Sequence, residues 1–433
     1  MTSARGLRAF RHYNYRIYFF GQLISLVGTW MQQVAQGWLV LQLTNDPFWL
    51  GLVAVAQFGP VLVLGLFGGL IADQLPKRPT LIATQTVAMV LAFVLFGLTV
   101  TGVVEVWHVL VLAALLGVTN SFDMPARQSF AVEMVGRSDV ANAVGLNAAT
   151  FNLSRILGPA AAGLLIGAFS ISFAFLVNGL SFIAVIAGYL LMRDAELRPA
   201  VRIPRPTSIR GVFDNLAEGA RYVRRTPIVL LAVVVVGLAA TFGMNFQVLI
   251  PPLADDVLDV GATGFGFLMA ASGVGSTIAA LGVAFSRRIN PIAIVLGAIL
   301  LGASLLVLAV SGSYAVSLVA MFLGGFGAIG MAVTANTSIQ LVVPDQLRGR
   351  VMSVYTTTFA GSVPAGGLFA GAIASTWGVP ASLAAGAVPT LLVGLVAFVW
   401  LRRLRRAERR ERPIGPERAV AASGDPLRVA RRQ

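Results

Sequence analysis

Two charged side chains, Asp123 and Arg155, stand inside stretches that are otherwise apolar enough to cross a bilayer. A charge in hydrocarbon is expensive, and its presence points to a pair, a proton relay or a ligand pathway. Asp123 can be protonated in one state and released in another. Its possible cationic partners are Arg155, Lys77, Arg78 and Arg127, and a purely structural pair fits the sequence equally. Arg155 shares a helix face with Asn147, Phe151, Gly158 and Ala162, so it points toward a packed neighbour or an internal space. Further chemistry is carried by uncharged polar groups. Gln22, Ser25, Thr29, Gln32, Gln33 and Gln36 recur at three- and four-residue steps and form one polar stripe on an apolar helix. Such amides must face protein or water. The chain has no Cys and only two His, His12 and His108, which excludes disulfides, thiolate metal sites and a cysteine nucleophile. No phosphate-cradling glycine loop or nucleophile–base set is present, and neither an enzyme nor a cofactor is expected.

The elements that must position these groups are membrane helices. Of 433 residues, 57% are hydrophobic and 12% charged, against about 45–50% and about 25% in ordinary soluble domains. Mean hydropathy is +0.82. About 20 apolar residues cross a bilayer core, and runs of that kind predict twelve spans: 17–41, 48–71, 80–102, 106–125, 140–168, 172–192, 228–250, 264–286, 291–311, 315–342, 350–376 and 380–401. The first is too long and too rich in Gln and Trp for a cleaved signal peptide.

The net charge of +14 has a location. Lys and Arg occupy the chain start, alternate turns, residues 193–225 and the tail, while the opposite turns carry Asp46, Glu105, Asp255, Asp256 and Asp259. Every basic residue but Arg155 falls on one side, which places both termini in the cytoplasm. The charge is a topological signal and not a nucleic-acid footprint. Four regions follow: a six-helix bundle over 1–192, a linker over 193–227 with an amphipathic helix at 209–224, a second six-helix bundle over 228–401, and an Arg-rich tail over 402–433 that is mostly disordered by composition. The polar end of the fourth span (Thr119, Asn120, Asp123) returns about 208 residues later in the tenth (Thr334, Asn336, Thr337, Gln340). Repeated halves put a substrate site near the midplane between them.

Three motifs carry a family resemblance. The turn Gly69-Leu70-Ile71-Ala72-Asp73-Gln74-Leu75-Pro76-Lys77-Arg78 resembles the loop signature of the major facilitator superfamily, with Gln74 and Pro76 departing from it. A basic turn holding one Asp would look much the same. The fifth span resembles the antiporter motif of that superfamily through Gly145, Ser154, Gly158, Pro159, Ala162 and Gly163. Ser154 and Ala162 replace glycines by other small residues, so close backbone packing survives, and the resemblance implies an exporter; ordinary small-residue packing is the alternative reading of the same spacing. Phe122-Asp123-Met124-Pro125-Ala126-Arg127-Gln128, with Asn147, Asn152, Arg155 and Arg348-Gly349-Arg350, is similar to the branch containing the enterobactin exporter and macrolide efflux pumps.

That resemblance spans about 10–400 and implies an all-α fold of two pseudo-symmetric six-helix bundles. It implies that Gly69, Asp73, Lys77 and Arg78 form a conformational switch, with Asp73 meeting the start of the eleventh span. It also implies that spans 1, 4, 7 and 10 line a central cavity. The candidates there are Gln22, Thr29, Trp30, Gln33, Gln36, Asn120, Asn147, Thr241, Phe242, Asn245, Thr334, Asn336 and Thr337. Hydrogen bonding between helices without ligand contact explains any one of them as well. The implied activity is export of a bulky amphipathic small molecule from the bacterial cytoplasmic membrane, by a monomer, with a proton as counter-ion. The first span carries Gln where some relatives carry an acid, and Ala113 stands where the proton-linked signature has Arg, leaving Asp123 as the obvious acid to carry the proton. The alternative within the superfamily is an importer or facilitator of a small metabolite without proton antiport.

Overall fold

The computed structural model describes residues 7–72, 75–198, 209–286 and 289–411. After a 3-10 turn at Arg8–Arg11 come α1 (Tyr13–Thr44), α2 (Pro47–Ala72), α3 (Lys77–Val100), α4 (Val106–Val135), α5 (Val140–Ala168) and α6 (Ile171–Leu190). The amphipathic α7 (Ile209–Arg225) follows, then α8 (Pro227–Gly243), α9 (Phe246–Pro252), α10 (Gly261–Ala284), α11 (Ile292–Val310), α12 (Tyr314–Val342), α13 (Asp345–Trp377) and α14 (Val379–Glu411). In hydrocarbon each backbone N–H and C=O needs an internal partner, which the helix supplies along its own length. Reversals fall where the chain can take positive φ or starts a helix on proline. Asn45 (φ 48°), Gly136 (φ 74°) and Gly378 (φ 84°) end α1, α4 and α13, and Pro227 opens α8.

The helices form two six-helix bundles. In the first, α1 packs on α5 and α6, α2 on α4, and α3 on α4 and α6; in the second, α10 packs on α12 and α11 on α12 and α14. The halves meet through α2 against α13 and α5 against α10. α7 belongs with the second bundle: the Arg350 carbonyl of α13 lies where a Cβ on Gly219 would fall, and Glu218 pairs with Arg350.

Eleven stretches among the described residues are long and apolar enough to cross a membrane. α1 is the twelfth by position and, at 32 residues, by length. Its polar stripe keeps its hydropathy low, and Gln22, Ser25, Gln32 and Gln36 are buried against other helices.

Three expectations about individual spans change. The seventh span is not one helix: it breaks at Met244-Asn245 between α8 and α9 and ends in a π-turn over Leu253–Val257. The Asn245 amide donates to the Thr241 carbonyl at 2.8 Å, supplying from a side chain the bond the backbone gives up. The fourth span does not stop at residue 125, because α4 continues to Val135 with Pro125 inside it. Ala126, Phe130, Ala131 and Met134 are buried in that extension, and this packing holds the helix through the proline. α14 runs to Glu411, ten residues past its predicted end, with Arg402 over the Phe398 ring at 4.2 Å.

A cavity in the first bundle and its charged node

A cavity of about 510 Å³ lies inside the first bundle and reaches the second at Gln247. α1 supplies Gln22, Ser25, Thr29, Trp30, Gln33 and Gln36; α2 supplies Gln57 and Phe58; α3 supplies Thr84 and Gln85. The remaining walls come from Asn120, Asp123, Arg127 and Gln128 of α4, Asn147, Thr150 and Phe151 of α5, and Asn178 and Phe182 of α6. Along α1 the lining runs from Tyr18, near the start of that helix, to Gln36, toward its end, where Gln247 joins the wall.

At the far end, where α1 turns into α2, the halves are closed by small residues. A Cβ on Gly51 would lie 2.4 Å from the Gly367 carbonyl oxygen, and one on Gly266 would lie 2.5 Å from that of Pro159. Thr263 donates to the Gly163 carbonyl at 3.0 Å. The Trp38 and Phe265 rings stack across the same seam at 6.0 Å. Where the cavity ends, Gln247 donates to Gln33 at 3.1 Å, amide to amide between the halves.

Asp123 is 1% exposed and is met on both oxygens. Thr84 Oγ1 and Gln85 Nε2 each donate to Oδ1 at 2.8 Å. Oδ2 takes the ion pair from Arg127, one helical turn on. Of the partners the sequence leaves open, Arg127 is the one observed. The spacing is what a helix makes neighbourly, and low dielectric makes the pair strong once both charges are buried. The node is incompletely satisfied at its edge: Arg127 Nε, Gln85 Oε1 and the Tyr189 hydroxyl are buried without partners among the described residues.

Arg155 is not part of this node. Its guanidinium lies 5.7 Å from the Trp30 ring centroid, and Trp30 meets Phe151 edge-on at 5.6 Å. Pro159 has no N–H for the Arg155 carbonyl, and that carbonyl instead faces Gly273 of α10, 2.7 Å from where a Cβ would be. A freed carbonyl against a glycine lets the two halves approach backbone to backbone.

Among the expected cavity residues, Gln22, Thr29, Trp30, Gln33, Gln36, Asn120 and Asn147 are on the wall. Thr241, Phe242, Asn245, Thr334, Asn336 and Thr337 are not. Thr241 donates to Gly237 and Thr337 to Val333, each within its own helix. Phe242 packs edge-on against Phe369 at 5.1 Å, and Asn245 lies against Gly366 of α13. Thr334 is 2% exposed, and Asn336 accepts from Gln340 one turn on. The break after α8 turns Asn245 inward and leaves Gln247 as the residue of that span at the cavity. The polar stripe of α1 also divides: Gln32 accepts from Asn178 of α6, and the Thr29 hydroxyl donates to Ser25 of its own helix. Sequence reasoning overlooked Gln57, Gln85 and Asn178. The signal for each was the same as for α1, an amide alone in an apolar span.

On the basic turn, Asp73 lies outside the described residues, so its expected contact with the start of α13 does too. Gly69 falls near the end of α2 and Lys77 opens α3. Arg78 donates to the Tyr189 and Leu190 carbonyls at 2.7 and 3.0 Å and pairs with Asp194, tying the start of α3 to the end of α6. In α5, a Cβ on Gly158 would lie 2.4 Å from that of Trp30, and one on Gly163 would lie 2.9 Å from the Thr263 carbonyl oxygen. Ser154, Pro159 and Ala162 are buried, whereas Gly145 has open space around it. The motif therefore separates α1 from α10 by the width of one close-packed helix.

Two pseudo-symmetric bundles around an internal polar cavity define a secondary carrier of the major facilitator class. A profile of the transmembrane secretion effector family matches residues 4–423, and the chain belongs to that family of multi-pass membrane transporters. It is 32% identical to the multidrug efflux pump Tap of Mycolicibacterium fortuitum, over 91% of this chain and 97% of that protein. It is 23% identical to the enterobactin exporter EntS of Escherichia coli, over 91% and 93%. A POT family transporter in complex with a thioalcohol-conjugated peptide shares the fold, with a TM-score of 0.72 at 11% identity over 90% of this chain and 96% of that one.

Proposed function

We propose that this carrier exports a bulky, partly apolar small molecule across the bacterial cytoplasmic membrane by alternating access, with both termini in the cytoplasm. The observation that carries the reading is the cavity itself. Its volume of about 510 Å³ falls within the range of about 300–1,000 Å³ usual for small-molecule sites. Its wall mixes amides with Trp30, Phe58, Phe151 and Phe182, which suits an amphipathic ligand. The far-end seam of small residues is closed while the cavity extends toward the terminal end, and this corresponds to a state loaded from the side of the termini. Export as the direction is supported by the efflux and export roles of Tap and EntS and by the α5 motif between the halves. Enclosure of the cavity by helices of one chain supports action as a monomer.

A proton is the proposed counter-ion, with Asp123 as its carrier. Protonation would free Arg127 and loosen the tie between α3 and α4 that Thr84 and Gln85 make through the carboxylate. The test is uptake into inverted vesicles of a panel of siderophores, macrolides and dyes, with and without an inward-acid proton gradient. At least one compound accumulates, and Asp123→Asn abolishes the gradient-driven part. Accumulation of none sinks the export reading, and undiminished driven uptake by Asp123→Asn removes Asp123 from the coupling role.

A further inference from the structure

The charged groups of the first bundle's interior are used unequally. Asp123 and Arg127 neutralise each other, so the wall they occupy carries no net charge. Arg155, midway along α5, makes no ion pair and no side-chain hydrogen bond among the described residues, and its nitrogens are not among the buried unpartnered atoms. No acid among the described residues offsets its charge, and its nitrogens are not fully sealed from the surface.

Its direction follows from the helix. Asn147, Phe151 and Arg155 are successive four-residue steps on one face, and the first two line the cavity. The exposed Leu153, Leu157 and Leu164 lie on the opposite face, toward lipid. Arg155 comes one turn beyond Phe151, behind the cavity wall and over Trp30, which does line it, at the level where its own carbonyl meets Gly273. Contact with a single aromatic ring offsets only part of the cost of holding a cation at this depth. The Trp30–Phe151 corner supplies an apolar floor beside the cation.

We propose that Arg155 is the anion-recognition point of the transport cavity. The exported molecule presents a carboxylate or similar oxyanion to the guanidinium and lays its apolar body on Trp30 and Phe151. This rests on the cavity being the transport site. It predicts selectivity against cations, because Asp123, the one acid on the wall among the described residues, is already neutralised.

The test uses the purified full chain in nanodiscs of phosphatidylcholine alone, which removes anionic lipid. Three probes share one skeleton: 7-diethylaminocoumarin-3-carboxylate, its N-methylamide and its choline ester. Fluorescence anisotropy should give the acid about tenfold tighter than the amide, the scale of one charge-assisted contact, with the choline ester weakest. Arg155→Gln should bring the acid-to-amide ratio near one, and Arg155→Lys should retain most of it, which a merely structural arginine would not do. An acid-to-amide ratio near one in the unaltered chain, or a ratio untouched in Arg155→Gln, overturns the inference while leaving the cavity reading standing. Failure of all three probes to bind the unaltered chain overturns both. Adding phosphatidylglycerol should leave acid binding unchanged; selective competition that disappears in Arg155→Gln would make the anion a lipid headgroup and overturn the substrate assignment.

Discussion

α4 and α12 hold equivalent places in the two bundles, and their polar residues face different fates. Asn120 and Asp123 of α4 stand on the cavity wall, and Asp123 gathers Thr84, Gln85 and Arg127 around it. In α12, Thr337 and Asn336 are occupied by partners on their own helix, and Thr334 is packed away. A sequence repeat reproduces a helix and its neighbours. It does not reproduce which side chains meet the ligand, because one residue of offset turns a side chain by about 100° (3.6 residues per turn). The far end is closed by small residues of both halves, Gly51 and Gly163 against Gly367 and Gly266, while the cavity's hydrogen-bonding groups come from the first half except Gln247. One half reads as the receptor, and both share the closing seam.

This division can be broken at either half. The largest effect is expected at the node. Asp123→Ala leaves Arg127 buried and unpaired, so unfolding in detergent should show a loss of about 3–5 kcal/mol. An unchanged unfolding midpoint would mean that the pair contributes nothing to the first bundle. Next comes the seam. Gly266→Leu forces side-chain atoms into the Pro159 carbonyl, which should cost about 1–3 kcal/mol of far-end closure and slow transport, while binding from the terminal side weakens less. Spin-label distances across the far end should widen; no widening would show that the α5–α10 contact is not the latch. The smallest effects come from a matched pair. Asn120→Ala should raise the KM of a transported compound several-fold, whereas Asn336→Ala should leave KM unchanged and stability within about 0.5 kcal/mol. Equal KM effects would restore the symmetric cavity that the repeat suggests.

Much of the scaffold was legible without coordinates, because the signals are one-dimensional. Hydrophobic run length depends on bilayer thickness and gave the span order. The stripe from Gln22 to Gln36 placed an amphipathic first helix inside the bundle, and the glycines of α5 announced close packing. Legibility failed where a neighbour decides. Pro125 and Pro251 read as punctuation in sequence, yet both lie inside helices, α4 and α9, while the seventh span breaks at Met244-Asn245, where no proline stands. What packs there decides: the buried apolar residues beyond Pro125 sustain α4, and Gly366 makes room for Asn245 to fold back on Thr241.

What the sequence determined by itself is the class of molecule: how many times the chain crosses, which segments repeat, and that polar groups were kept inside at a cost no lipid-facing helix would bear. Periodicity and charge patterning are properties of each segment alone, so they survive being read alone. Tertiary structure decided the partners. That Thr84 and Gln85 of α3 meet Asp123, and that Arg155 lies over Trp30 of α1, depends on how α4 and α5 are set against α1, α2, α3, α6 and α10. Those settings come from contacts between residues far apart in the chain, such as Thr263 of α10 with Gly163 of α5, which no local pattern records.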